Sequence, residues 1–299
     1  MRVVRLRAAG GPEQLAVEEA DKPRPGPTEA LVHVHAAAIT RGELDWPVDR
    51  LPAIPSYELS GVIEEVGTAV AGVAAGDEVF ALTPFDRDGV AADYTAVRAE
   101  LLVQRPRALG HAECAAIPLP ALSAWQGLFD HGRLGAAERV LIHGASGNVG
   151  GFAVQLARAA GAHVIGTASA ENLDFVLELG AHDVVDAAEG FEDAVGPVDV
   201  VFDTVGGERL RRSRAVLRSG GRLVSVAEEP PEGGVYFIVE PNRDQLHSLA
   251  RLVDGGDLRP PPVEVIPLTS APEAFARSLD PRRQSKVVLS VAALRRVET

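Results

Sequence analysis

The sequence predicts an α/β protein in which a doubly wound parallel sheet is inserted into a β-rich, barrel-like domain. Three observations carry this expectation. The apolar run 139–143 breaks into glycines at Gly144, Gly147 and Gly150, and a helical pattern follows at once, with Val149, Phe152, Ala153, Leu156 and Ala160 on one face. Downstream, short apolar runs alternate with helical segments, as parallel strands with crossover helices require. Before this region, and again after it, short strand-like runs are punctuated by Pro and Gly clusters such as Pro23-Arg24-Pro25-Gly26-Pro27.

Taken in order, candidate strands fall at 2–7, 15–19, 31–38, 61–66, 77–82 and 93–97, and a helix is expected over 121–131. Strand 139–143 then leads into the helix after Gly150, with Gly161 placed to end it. The alternation continues as strand 163–167, helix 171–179, strand 183–186, helix 191–195, strand 198–203, helix 208–218 and strands 222–226 and 235–239. A helix over 243–253 precedes a Pro260-Pro261-Pro262 boundary, and strands 263–266 and 287–291 flank a helix at 271–279. Two strands cannot make a domain, so this tail is expected to return to the N-terminal unit. The expected boundaries are 1–108 and 256–299 for the β-rich domain and 109–255 for the inserted one.

Composition excludes several functions. The chain has 299 residues with 29 basic and 42 acidic side chains, a net charge of −13, which speaks against nucleic acid or an anionic membrane as partner. No apolar run approaches the ~18 residues of a membrane span. Met1-Arg2-Val3-Val4 begins no signal core, and the single Cys114 allows no disulfide framework, so a cytoplasmic location is expected. His33 and His35 share a strand face; without a third ligand nearby they are expected to form an exposed or half-buried polar face rather than a metal pair.

Strand, glycine turn and helix together suit a pyrophosphate, because small residues permit close backbone approach and the helix start offers free N–H groups. Gly144, Ala145, Ser146, Gly147, Asn148, Val149 and Gly150 are therefore assigned to a dinucleotide. Ligands of such sheets lie at the carboxyl ends of the strands.

The chain resembles the medium-chain dehydrogenase/reductase superfamily, and within it the zinc-free, NADPH-dependent quinone oxidoreductase group of ζ-crystallin type. The resemblance is carried by Pro55-Ser56-Tyr57-Glu58-Leu59-Ser60-Gly61, Gly76-Asp77-Glu78-Val79-Phe80, the glycine loop with Val154-Gln155-Leu156-Ala157, Gly166-Thr167-Ala168-Ser169 and Phe202-Asp203-Thr204-Val205-Gly206-Gly207. It implies a GroES-like β-barrel catalytic domain with an inserted Rossmann domain. Zinc-dependent members of the superfamily carry a Cys and a Gly-His-Glu; here Tyr57 stands where the His would be and no Cys lies near Thr40. No metal is therefore expected, since Glu58 cannot hold one alone.

Without a metal, the implied chemistry is hydride delivery to an acceptor that is already electrophilic, a quinone or an α,β-unsaturated carbonyl. The family often draws an Asn, a Tyr and a Thr around the nicotinamide; this chain departs from each, with Thr40 at the Asn position, Trp46 near the usual Tyr and Ser123 in place of the Thr. Tyr57 either presents its phenol to the substrate oxygen or packs as an aromatic satisfied by backbone. Trp46 and Trp125 are expected as flat pocket walls.

On the cofactor side, Thr167-Ala168-Ser169 carries no acid at the end of the second strand of the inserted sheet, which favours NADPH over NADH. Ser169 is expected both to cap the next helix, with Asn172 nearby, and to bind the 2′-phosphate. The resemblance also implies a Lys in this segment and a Tyr after the third strand, where Leu173 and Ala187 stand; Arg282, Arg283 or Lys286 would supply the charge from the tail, or are surface charges. Thr204, Val205, Ser225, Val226 and Ala227 should border the nicotinamide. Phe237, Ile238 and Val239 resemble the segment that covers the ring, or form an edge strand pairing across a homodimer. The function expected is NADPH-dependent reduction of a small quinone or enone. The alternatives are a pathway-specific enoyl reductase and a non-catalytic NADPH-binding sensor.

Overall fold

The computed structural model describes residues 1–46, 50–230, 233–280 and 284–291. The chain divides into two compact units, one formed by Met1–Leu119, Pro241–Asp254 and the chain from Pro260 onward, the other by Pro120–Glu240 and Gly255–Arg259. Helix 243–254, expected in the inserted domain, thus groups with the first unit, and the first boundary falls inside a helix rather than before it.

In the first unit β1 (Arg2–Leu6) pairs with β2 (Leu15–Glu19) as a separate antiparallel ribbon. The main sheet is built from β3 (Glu29–Ala38), β4 (Glu58–Val66), β5 (Glu78–Leu82), β6 (Tyr94–Arg98) and β7 (Val103–Gln104), after which α1 (His111–Ala115) follows. α2 (Pro118–Trp125) begins three residues before the expected helix, because Pro118 and Pro120 fall in its first turn, where a missing N–H costs nothing. Its continuation, Gln126–His131, is a wide π-helical turn rather than more α-helix.

The second unit alternates as expected: β8 (Arg139–His143), α3 (Asn148–Ala159), β9 (His163–Ala168), α4 (Leu173–Glu178), β10 (Asp183–Asp186), α5 (Glu192–Val195), β11 (Val198–Asp203), α6 (Gly207–Arg212), β12 (Leu217–Ser225) and β13 (Val235–Tyr236). The strands are all parallel, in the order β10-β9-β8-β11-β12-β13. The order reverses beside β8, which places a crevice at the end of that strand. The expected helix 208–218 stops at Arg212: the buried Ser213 hydroxyl donates back to the Arg209 carbonyl at 2.7 Å, a tight turn follows, and β12 starts already at Leu217. Strand pairing in the last element covers only Val235 and Tyr236 instead of five residues.

α7 (Arg243–Asp254), β14 (Val263–Pro267), α8 (Ala271–Ser278) and β15 (Lys286–Ser290) complete the first unit. β14 and β15 return to the sheet as expected, giving β14-β15-β3-β4-β5-β7 with β6 also on β3. Alternating residues of β3, β4 and β15 bury Val32, Val34, Leu59, Ile63, Val287 and Leu289 in one apolar core with Phe275 of α8. The second unit has its own core, including Leu141, Ile165, Val201 and Leu223 from adjacent strands.

Candidate functional site

In the first unit a buried polar centre sits where three strands end together. Ala38, the last residue of β3, lies opposite Glu58 of β4 on one side and Val288 of β15 on the other. Glu58 and Lys286 open their strands, so the Lys286 ammonium reaches across the end of β3 to the Glu58 carboxylate, 2.5 Å away, with side chains 3% and 1% exposed. Glu58 also accepts the Thr40 hydroxyl at 3.2 Å and the Leu119 N–H at 2.8 Å. Burial raises its pKa, while Lys286 and these donors oppose the rise. The one proton of the Thr40 hydroxyl is thereby committed inward to Glu58.

Glu43, in the turn after β3, is a second buried carboxyl. Its two oxygens accept the N–H groups of Thr40 at 2.9 Å and Ser56 at 2.8 Å. Burial pushes its pKa up to about 8, so it holds a proton at neutral pH. Ser56 has a left-handed backbone (φ 63°), and its buried hydroxyl has no hydrogen-bond partner among the described residues.

Tyr57 follows Ser56 directly. Its ring centroid lies 6.0 Å from that of Trp46 and 5.0 Å from that of Phe85, and the residue is only 6% exposed. Burial first, then the neighbouring Glu43, raise the phenol pKa. The Tyr57 hydroxyl makes no hydrogen bond to any described residue, so backbone does not satisfy it. A rigid aromatic box therefore presents an uncommitted phenol donor.

Elsewhere in this unit, His33 and His35 are half-buried, and His35 packs at 4.3 Å on a third imidazole, His111, brought there from a distant segment. Among the described residues, no group of three His, Cys, Asp or Glu side chains is arranged to hold a metal ion. Cys114 is buried, and burial pushes its thiol up to about 12, which leaves it inert.

The second unit's candidate site is made mostly of backbone. Gly144 turns the chain with φ 73°, and a Cβ on Gly150 would stand 2.1 Å from the Gly144 carbonyl oxygen, so only glycine closes this turn. No side chain caps α3, whose first amides are left open beyond the exposed Gly147. Next to the loop, His143 is buried between the hydroxyls of Thr167 (3.1 Å) and Ser213 (3.0 Å). Burial, with a smaller push from Arg209, holds its pKa at about 3, so it is neutral. Asp203, at the end of β11, accepts the Ser225 hydroxyl at 2.8 Å and the Gly206 N–H at 2.9 Å, with Val205 N–H at 3.3 Å. It fixes the loop of Thr204 and Val205, and Thr204 donates to the His143 carbonyl at 2.8 Å. Val226 and Ala227 continue from Ser225, whose hydroxyl accepts the Ala227 N–H at 3.1 Å.

The remaining expected residues are placed as follows. Ser169 does not cap a helix with its side chain; its hydroxyl oxygen instead accepts the Asn172 amide at 2.9 Å, and its own proton has no acceptor among the described residues. Lys286 is paired with Glu58, which removes it as a phosphate ligand, and Arg283 lies outside the described residues. Ser123 is buried on α2, while Trp125 is half-buried with its ring 5.3 Å from Phe129. Phe237 and Val239 are buried, Phe237 at 4.4 Å from His131, and only Ile238 of this trio faces outward at 64% exposure. The sequence analysis missed Glu43, Phe85 and the Glu58–Lys286 pair. Glu58 and Lys286 meet only because β4 and β15 flank β3.

Two family models match the chain: an alcohol dehydrogenase GroES-like domain over residues 26–107 and a zinc-binding dehydrogenase domain over residues 148–249. A probable zinc-binding oxidoreductase, mitochondrial, of Arthroderma benhamiae is 33% identical, covering 90% of this chain and 92% of that protein. The chain belongs to the medium-chain dehydrogenase/reductase superfamily, in its quinone oxidoreductase-like group. It is 31% identical to an NADPH-dependent alkenal/one oxidoreductase, chloroplastic, of Arabidopsis thaliana, over 87% of this chain and 72% of the other. Its fold superposes on the quinone oxidoreductase from Coxiella burnetii with a TM-score of 0.88 at 28% identity, covering 98% and 99% of the two chains. As a member of this superfamily it is an oxidoreductase with a nicotinamide cofactor. The glycine cradle and open helix start of the second unit fit the pyrophosphate of that cofactor. No described helix is long and apolar enough to cross a membrane.

Proposed function

We propose that the chain is an NADPH-dependent, metal-free reductase that passes hydride to a quinone or an α,β-unsaturated carbonyl. The observation that carries this reading is the Tyr57 phenol, nearly buried against Trp46 and Phe85 yet without a hydrogen-bond partner among the described residues. Such a group can donate to the oxygen of a planar acceptor as negative charge develops there. Its raised pKa keeps it protonated across the neutral range. The nicotinamide, when bound, supplies the hydride.

Metal-free chemistry is supported by the centre behind Tyr57. Glu58 already has a cation in Lys286, and Tyr57 replaces an imidazole ligand. Thr40 and Glu43 act as positioning residues, joining the end of β3 to the segment that carries Tyr57. NADPH is supported by the free proton of the Ser169 hydroxyl and by the lack of an acid within Thr167-Ala168-Ser169. A homodimer is supported by β13, which ends the six-stranded sheet with Val235 and Tyr236 41% and 45% exposed.

The test is steady-state oxidation of NADPH and of NADH with one ortho-quinone and one medium-chain 2-enone, for the wild type and Tyr57→Phe. Turnover with NADPH and a kcat lower by roughly 10- to 100-fold in Tyr57→Phe is expected. Tight NADPH binding with no turnover of either acceptor would instead favour a dedicated pathway substrate or a non-catalytic role.

A further inference from the structure

NADPH differs from NADH by a 2′-phosphate, a dianion that needs a cation, and Lys286 of the tail is already taken by Glu58. α6 offers a different source. Arg211 pairs with Glu208 at 3.1 Å and Glu228 at 3.5 Å, and Arg212 pairs with Glu192 at 2.5 Å. Arg209, on the same short helix, has no carboxylate partner among the described residues.

What Arg209 does touch locates it. Its Nη2 donates to the Ala187 carbonyl at 2.7 Å, and the Ala187 N–H donates to the Ala168 carbonyl at 2.7 Å. Ala187 follows β10 and Ala168 ends β9, directly before Ser169. The guanidinium is thus held at the end of β10, on Ala187, which pairs with the residue directly before Ser169; the Ser169 hydroxyl proton has no acceptor among the described residues. A carboxylate at the same edge, Asp186, is turned onto its own loop, accepting the Ala188 N–H at 2.9 Å. One of the five guanidinium donors is used on Ala187, and the others remain for a ligand.

We propose that Arg209, together with the Ser169 hydroxyl, binds the 2′-phosphate of NADPH and sets the preference for it over NADH. This rests on the NADPH reading above. A planar guanidinium suits a phosphate, since its parallel N–H groups engage two oxygens at once.

The experiment is calorimetric titration of the full chain with 5′-AMP and adenosine 2′,5′-bisphosphate, which share the adenosine and differ in the 2′-phosphate. The wild type should favour the bisphosphate. Arg209→Gln should lower that preference by about 30-fold while leaving 5′-AMP affinity unchanged, the size of a lost charge-assisted contact. Arg211→Gln, which removes an arginine already paired with glutamates, should change neither. A preference that survives Arg209→Gln overturns the inference, as does an equal loss of both ligands, which would place Arg209 against adenine. If the wild type shows no preference, the NADPH reading itself falls. Should Arg209→Gln fail to fold for want of the Ala187 contact, Arg209→Lys decides. A several-fold smaller preference with unchanged 5′-AMP affinity supports the inference, and an unchanged preference overturns it.

Discussion

The two units solve opposite electrostatic problems. The first buries an ion pair near its candidate donor: Glu58 and Lys286 are both nearly inaccessible, and a protonated Glu43 is buried next to them. The second keeps its loop almost free of charge, using glycines, open amides and a neutral His143, with Asp203 tied to backbone N–H groups. The difference teaches where specificity is stored. A buried ion pair holds side chains in one arrangement at a cost in desolvation, which suits a centre that must fix Tyr57 and Thr40. A backbone cradle leaves its polar groups unpaired until a ligand's own charge completes them.

Breaking the ion pair should have the largest effect. Lys286→Met leaves the Glu58 carboxylate buried without its cation and should cost about 3–5 kcal/mol of stability, read by chemical denaturation. Glu58→Gln combined with Lys286→Met should recover most of that loss; if the double variant is as unstable as the single one, the pair is not what the site depends on. Next comes the cradle. Gly150→Ala drives a Cβ against the Gly144 carbonyl, an overpacking of roughly 2–3 kcal/mol, and nucleotide affinity measured by fluorescence titration should fall by about 100-fold. Unchanged affinity would mean that the loop is not the pyrophosphate site.

The pH responses of the units sharpen the comparison, because they run in opposite directions. His143 has a folded pKa of about 3, below its ordinary 6.5, so the unfolded chain binds the extra proton between those values. Its contribution to stability is complete above pH 6.5 and declines by up to about 1.4 kcal/mol per pH unit as the pH falls toward 3. His143→Asn should flatten that acid limb, as followed by hydrogen exchange of β8. Glu43 behaves in the reverse sense: its folded pKa of about 8 lies above its ordinary 4.5, so its contribution is present below 4.5 and is lost as the pH rises to 8. Its shift is about as large as that of His143 and opposite in sign. Glu43→Gln should reduce the alkaline decline in hydrogen-exchange protection of β4, and an unaltered slope would show that Glu43 is ionised in the folded protein.

Much of the fold was legible in the sequence because periodicity and glycine spacing are local. The alternation after Arg139 specified parallel strands and crossover helices, and Gly144, Gly147 and Gly150 specified the tight turn between β8 and α3, because close backbone approach restricts residue type directly. Local patterns misjudged helix ends. The helix expected over 208–218 stopped at Arg212 because Ser213 turns back onto its own helix. The segment 235–239 shortened to a two-residue strand, and just beyond it Gln126 clamps both backbone groups of Glu240 at 2.8 and 3.0 Å.

The sequence by itself therefore determined the two architectures and the glycine turn after β8. Only the tertiary structure decided which charges meet. Lys286 faces Glu58 because β15 and β4 flank β3, and Arg209 donates to the Ala187 carbonyl after β10 while Arg211 and Arg212 pair with glutamates. Pairings of this kind are set by strand order and packing between segments far apart in the chain, and no spacing of residue types along one segment encodes them.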